Sequence, residues 1–265
     1  MRPDSTLGGA LTSERTLARW GYLSAVALAV LGAARLWAQW MTLGGSEAGP
    51  FAETMRPMLF ETIWGLALIA QVVLGVAASV AFALIPRRGA WATAGALAIL
   101  LCITPGLSGH AVAESRPTLG VTLDTLHVIA GGIWLGTLTI LVALAFPVLG
   151  DATARKAVHA LLVRFARLAL SAAAALALTG LYAAWVHLGS WSALWSSSYG
   201  RALLLKLCTV ALAGVLGTVN WRVAVPRFTL GRVPLFAASG TAEVLMALLI
   251  YLLTAAFVAR PLPLE

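Results

Sequence analysis

The sequence predicts an all-α fold, a polytopic transmembrane helix bundle of about seven spans, with eight possible. Three observations carry that reading. Of the 265 residues 60% are hydrophobic and 11% charged, the mean hydropathy is +0.92, and the apolar residues are gathered into runs of roughly the 20 residues that cross a bilayer. A soluble domain of this length is far more polar. The alternation of a membrane β-barrel is absent, so each run has to be a helix that satisfies its own amides. The longest polar stretches are the N-terminal tail and residues 44 to 58, too short for a soluble domain. The whole chain, 1–265, therefore reads as a single integral membrane domain.

The runs fall at about 19 to 43, 59 to 85, 90 to 111, 122 to 147, 160 to 187, 201 to 224 and 236 to 258. The first follows eighteen polar residues and is too long for the apolar region of a signal peptide, so it is expected to stay as an uncleaved span. The third ends in TPGLSGH, where Pro105, Gly106 and Gly109 weaken the helix. Irregular backbone at that depth either lines a cavity or marks a simple kink. In the fourth, Gly132 and Gly136 have the GxxxG spacing that lets a second helix come close. Twelve of the eighteen basic residues fall on one side: Arg2, Arg15, Arg19, Arg87, Arg88, Arg155, Lys156, Arg164, Arg167, Arg222, Arg227 and Arg232. The bias makes that side cytoplasmic, with the N-terminus inside and the C-terminus outside. Trp20, Trp91 and Trp221 then mark inner ends, and Trp37, Trp40, Trp185, Trp191 and Trp195 outer ends, as interfacial anchors.

This topology sorts the four histidines. His110, His127 and His187 fall at the outside, and His159 at the cytoplasmic face. His110 and His127 flank the short polar turn between the third and fourth runs, where they can share one ligand or simply sit at the interface. Asp124 lies three residues before His127, hence on the same helix face, where a carboxylate can ligate or orient the imidazole. Gly131 and Trp134 follow on that face. Neutral imidazole binds copper, zinc, iron and nickel, and does not choose among them. His110, His127 and Asp124 are the first-choice metal ligands. Met55 and Met58 in FAETMRPMLFET offer thioethers, and with Glu114 and His187 form a second tier.

Glu243 lies about seven residues inside the last run, at the depth of Asn220 and Arg222. A charge within a membrane needs a partner, so a structural hydrogen-bonded pair is the first expectation and a proton or ion relay the second. Cys102 and Cys208 stand alone inside apolar runs and read as small buried side chains. The net charge of +8 is dispersed singly and in pairs, which excludes nucleic acid as a partner and leaves membrane lipid. No nucleotide loop, catalytic triad or zinc-hydrolase spacing occurs, so no enzyme is expected.

The segments DTLHVIAGGIWLGTLTIL, RFARLALSAAAALALTGLYAAW, GSWSALWSSSYGRALLLKLCTVALAGVLGTVNWR and ASGTAEVLMALL occur in order. Together they resemble the copper resistance protein D (CopD) family over residues 105–258, taken as a CopD-like core. The resemblance implies a bacterial inner-membrane protein moving copper toward the cytoplasm. It also implies a periplasmic CopC-like copper-binding partner, expected as a separate protein, and copper ligation by His110 and His127. Members commonly have eight spans, and the family's last-span glutamate matches Glu243. The leading expectation is thus a copper permease loaded at an outer site. The alternative is a b-type cytochrome with two histidines ligating haem b.

Overall fold

The computed structural model describes residues 14–85, 87–113, 116–146 and 152–258. In chain order the helices are α1 (Glu14–Thr42), α2 (Phe51–Glu61), α3 (Ile63–Ala83), α4 (Ala90–Leu101), α5 (Thr104–Leu107), α6 (Pro117–Ala145), α7 (Ala152–Leu188), α8 (Ala193–Ser196), α9 (Ser198–Val219), α10 (Val225–Phe228) and α11 (Val233–Val258). Short 3-10 turns occupy Gly45–Ala48 and His110–Ala113, and a π-helical turn occupies Asn220–Ala224. No strand occurs among the described residues. Seven helical segments among them are long and apolar enough to cross a membrane: Glu14–Thr42, Ile63–Ala83, Ala90–Leu107, Pro117–Ala145, Ala152–Leu188, Ser198–Phe228 and Val233–Ala255. Large apolar side chains such as Leu170, Leu178, Leu181, Leu212 and Leu252 are exposed on them, as lipid-facing side chains are. The protein is an all-α, multi-pass membrane protein.

The chain forms two compact units, Thr12–Ile129 and Ala130–Glu265, divided inside α6. In the N-terminal unit α1 and α3 run antiparallel. Gly75 packs against Ala25 and Ala29, and Gly32 against Val72, small residues that let two helices approach in lipid. At one end Trp91 donates its indole N–H to Glu14 at 2.7 Å and meets Phe82 edge-on, over the buried Ala18, Ile85 and Ala90. At the other end Trp37 and Trp40 lie 4.8 Å apart and both pack on Phe51 of α2. Here the ring pairs tie helix ends together and do more than anchor.

In the C-terminal unit the main core joins Leu138, Leu141, Val142 and Ala145 of α6 to Val158 and Leu162 of α7 and to Phe228, Val233 and Phe236. The close approach expected at Gly132 and Gly136 is not there, since a Cβ at either would meet open space. It is at Gly131 instead, where a Cβ would sit 2.7 Å from the Tyr251 hydroxyl oxygen. The reason is the stripe: Gly131, Leu138 and Ala145 are buried at sevenfold spacing, and Gly132 and Gly136 lie off it. Cys208 is exposed and Cys102 half-buried, so only the second approaches the buried role expected of both.

Each unit contains the same device. A short helix stops at an extended residue, Thr62 after α2 and Ser197 after α8, and a membrane span follows. The Thr62 hydroxyl donates to the Met58 carbonyl at 2.6 Å and accepts the Gly65 N–H at 3.0 Å. Ser197 does the same with Ala193 at 2.6 Å and Gly200 at 2.8 Å. At each break one hydroxyl thus donates to the carbonyl four residues before it and accepts an amide from the first turn of the next helix. Glycine is required three residues on, because a Cβ on Gly65 would strike the backbone of Met58 and Leu59, and one on Gly200 that of Ala193 and Leu194. Later in each unit a left-handed glycine precedes the next span, Gly89 at φ 84° and Gly231 at φ 85°. The sequence reading ran residues 59 to 61 into the second span. The break at Thr62 separates them, because the polar, proline-containing FAETMRPMLFE forms its own helix.

Thr62→Ala and Ser197→Ala are expected to cost about 1 kcal/mol each, the usual worth of an N-cap. Gly65→Ala and Gly200→Ala should each prevent assembly, since backbone cannot yield as a flexible side chain does. Thermal unfolding of the monodisperse protein in detergent compares the four; glycine variants as stable as the cap variants would contradict the assignment.

Candidate metal centre

The candidate residues of the N-terminal unit lie around the α5 turn. Cys102 ends α4, and Pro105, which has no N–H, sits in the first turn of α5. The helix is restarted by Thr104, buried, whose hydroxyl donates to the Leu101 carbonyl at 2.9 Å. Gly106 is buried against α6: a Cβ there would stand 3.2 Å from Asp124 Oδ2 and 3.3 Å from the Val121 carbonyl oxygen. Glycine lets the turn lie this close to the Asp124 carboxylate without displacing it. His127 follows one helical turn after Asp124, and both side chains are half-buried.

Arg35 of α1 fixes the other side of the same turn. Its guanidinium donates through Nη1 to Ser108 Oγ at 3.0 Å and through Nη2 to the Ser108 carbonyl at 3.2 Å. It also lies 5.6 Å from the centroid of the Trp64 ring, a cation–π contact that helps hold a charge in an apolar setting. The residue it grips stands two before His110. Arg35 is not among the twelve basic residues of the expected cytoplasmic side, and it carries no expected role from sequence. The signal that points to it is its place inside a span, where a charge demands a partner.

The backbone of His110 opens the 3-10 turn that follows; its side chain lies outside the described atoms, as does Glu114 altogether. Asp124 is thus beside the turn that leads to His110, and His127 is on its helix. Met55 of α2 is fully buried at 1% exposure and Met58 half-buried. They lie on a helix in the same unit, where a loop was expected. His187 belongs to the C-terminal unit, where its Nδ1 lies 3.2 Å from the Tyr199 hydroxyl. Among the described residues no three of His, Cys, Asp and Glu converge as a metal-binding group.

Glu243 forms a separate polar centre in the C-terminal unit. Its carboxylate, 4% exposed, accepts the Asn220 side-chain N–H at 2.6 Å and the Trp134 indole N–H at 3.3 Å. Asn220 was expected at that depth, and Trp134 was not expected as its partner. Arg222 is turned away, its guanidinium 5.4 Å from the Trp221 ring centroid.

Seven apolar spans among the described residues, a turn packed through glycine against a half-buried carboxylate, and a buried carboxylate elsewhere define a membrane protein with polar groups among its helices. The comparisons narrow this class. The family model described as "Copper resistance protein D" matches residues 159–257, and that described as "Copper resistance protein D-like, N-terminal domain" matches residues 4–121. The chain belongs to the copper resistance protein D family. It is 30% identical over 173 residues to the "Copper transport protein CutJ" of Bacillus subtilis (strain 168), covering 63% of this chain and 32% of that protein. The chain thus spans about a third of the length of the curated relative it matches. No solved structure matches it significantly.

Arg35→Ala should free the turn. Losing two hydrogen bonds from a charged donor, at about 1.5–3 kcal/mol each, is expected to speed amide hydrogen exchange in residues 104 to 113 at least tenfold. Ser108→Ala keeps the bond to the carbonyl and should have a smaller effect. Unchanged exchange in Arg35→Ala would show that the guanidinium does not hold the turn.

Proposed function

We propose that the protein is a copper permease of the bacterial inner membrane that takes copper at a site formed by His110, His127 and Asp124 and passes it toward the cytoplasm. The observation that carries the reading is the contact of Gly106 with Asp124, which brings the segment leading to His110 against the helix turn leading to His127. Two imidazoles and a carboxylate are a donor set suited to copper. Family membership and the printed name of the Bacillus subtilis relative support copper as the cargo. Arg35 acts here as a positioning residue that keeps the His110 segment in register.

In this reading the basic-residue bias puts the N-terminus in the cytoplasm, and the histidine site faces the periplasm. A CopC-like copper-binding protein delivers copper there. Met55, Met58 and Glu114 are secondary ligands. Copper moves as the ion, bound and released, so the protein is a transporter and no enzyme. Glycine at 106 serves the site by closeness. A larger side chain there pushes the Asp124 carboxylate and the first turns of α6 away from the histidine segment.

Metal analysis and the visible spectrum of the purified protein test this directly. Copper near one equivalent per chain is expected in the wild type, with no Soret band. It should fall at least tenfold in the His110→Ala, His127→Ala double variant and by less in Asp124→Asn. A Soret band lost in the double variant would replace the copper reading with the b-type cytochrome. No metal and no haem after copper loading would leave the histidines as interfacial residues. Gly106→Leu, which keeps every ligand, is expected to lose copper nearly as fully as the double variant; full retention would contradict the close-packed turn.

A further inference from the structure

The copper reading leaves one buried ionisable cluster unused. Glu243 lies in the span Val233–Ala255 and is 4% exposed, and Asn220, at 5%, is equally hidden. The carboxylate has two partners, both N–H donors: Asn220 Nδ2 on Oε2 at 2.6 Å and Trp134 Nε1 on Oε1 at 3.3 Å. Asn220 Oδ1 is buried with no hydrogen-bond partner. A carbonyl left unpaired at this depth has lost its hydration without replacement, so it calls for an occupant.

The local backbone is built to hold it there. Pro226 has no N–H to give the Arg222 carbonyl and its ring crowds that oxygen, as proline does four residues on. The helix widens just ahead of it into the π turn Asn220–Ala224, with the Val225 N–H reaching back five residues to Asn220. Such turns recur at functional sites. Gly217, one turn before Asn220, leaves room for the carboxylate: a Cβ there would be 3.2 Å from Glu243 Oε1.

No cation neutralises Glu243 among the described residues. Arg222 lies over Trp221, Arg227 donates to the Val223 carbonyl at 3.4 Å, and Arg201 donates to the carbonyls of Trp195 and Ser196. Lys206 stands eleven residues before Gly217 on α9, and Tyr251 eight beyond Glu243 on α11. From Ala130 to Ala145, α6 has no ionisable side chain. Cys208 on α9 is exposed.

The occupant follows from the donor set. Two of the groups facing the carboxylate are N–H donors, which repel a metal cation. One carboxylate and one amide oxygen fall far short of the six or more oxygens a hard cation takes, and no nitrogen lone pair or sulfur serves a soft one. A proton needs a single acceptor. We propose that Glu243, Asn220 and Trp134 form a proton-binding site within the C-terminal unit. In the ionised state Asn220 Nδ2 donates to Oε2. On protonation an O–H bond forms at Oε2 as an O–H bond of a solvent hydronium ion breaks, leaving water. The Asn220 amide turns end for end, and the new O–H donates to Oδ1, satisfying it. Trp134 keeps its bond to Oε1 in both states, which directs the proton to Oε2. The site stands whether or not the histidine site binds copper.

Infrared difference spectra of the full-length protein, taken while pH is stepped and repeated in heavy water, test it. A deuterium-sensitive carboxylic-acid carbonyl band should appear on acidification in the wild type and be missing in Glu243→Gln, while bands from exposed carboxylates persist. Trp134→Phe keeps a ring and removes one donor to the ionised form, so the midpoint should move to higher pH. Asn220→Leu removes the acceptor, and the band should rise in frequency. A Glu243→Gln spectrum that superimposes on wild type at every pH overturns the proposal. So does a band indifferent to Trp134→Phe, a variant small enough to fold should Asn220→Leu not.

Discussion

Lipid offers no hydrogen bonds, so every interruption of a helix in this chain has to bring its own partner. That constraint accounts for the places where the fold departs from plain spans. Thr62 and Ser197 each close a break with one hydroxyl. Arg35 spends its charge on the turn around Ser108. Pro226 forces a wide turn whose first residue, Asn220, reaches a carboxylate. Both polar sites lie beside interrupted helices and are held by side chains: Arg35 at the first, Asn220 and Trp134 at the second.

The membrane-spanning helices were legible because the signal is one of composition over a window. The seven runs read from apolar length agree with the seven helical segments, usually within several residues at each end. Helix α2 was not legible as a separate element. Phe51–Glu61 is polar enough to read as a loop and contains Pro57, and only the Thr62 cap divides it from the next span. The GxxxG expectation failed for a related reason: spacing alone does not say which face is covered, and Gly131, one residue away, takes the contact.

Of the candidate sites, what lies close in sequence was readable. Asp124 and His127 share a face by helical spacing, and Glu243 and Asn220 were matched by depth. What joins distant segments was not. Arg35 and Ser108 are 73 residues apart, Trp134 and Glu243 are 109 apart, and neither pair leaves a periodic trace. The repeated break is hidden in the same way, because Thr62 with Gly65 and Ser197 with Gly200 share only a hydroxyl and a glycine three residues later.

In the proposed permease one copper ion is held between the segment that Arg35 grips and the turn of α6 that Gly106 approaches. X-ray absorption at the copper edge of the loaded protein measures this at the metal itself. Nitrogen and oxygen neighbours are expected, with the outer-shell scattering of two imidazoles, falling to one in His127→Ala. A spectrum dominated by sulfur, or one unchanged in His127→Ala, would contradict it.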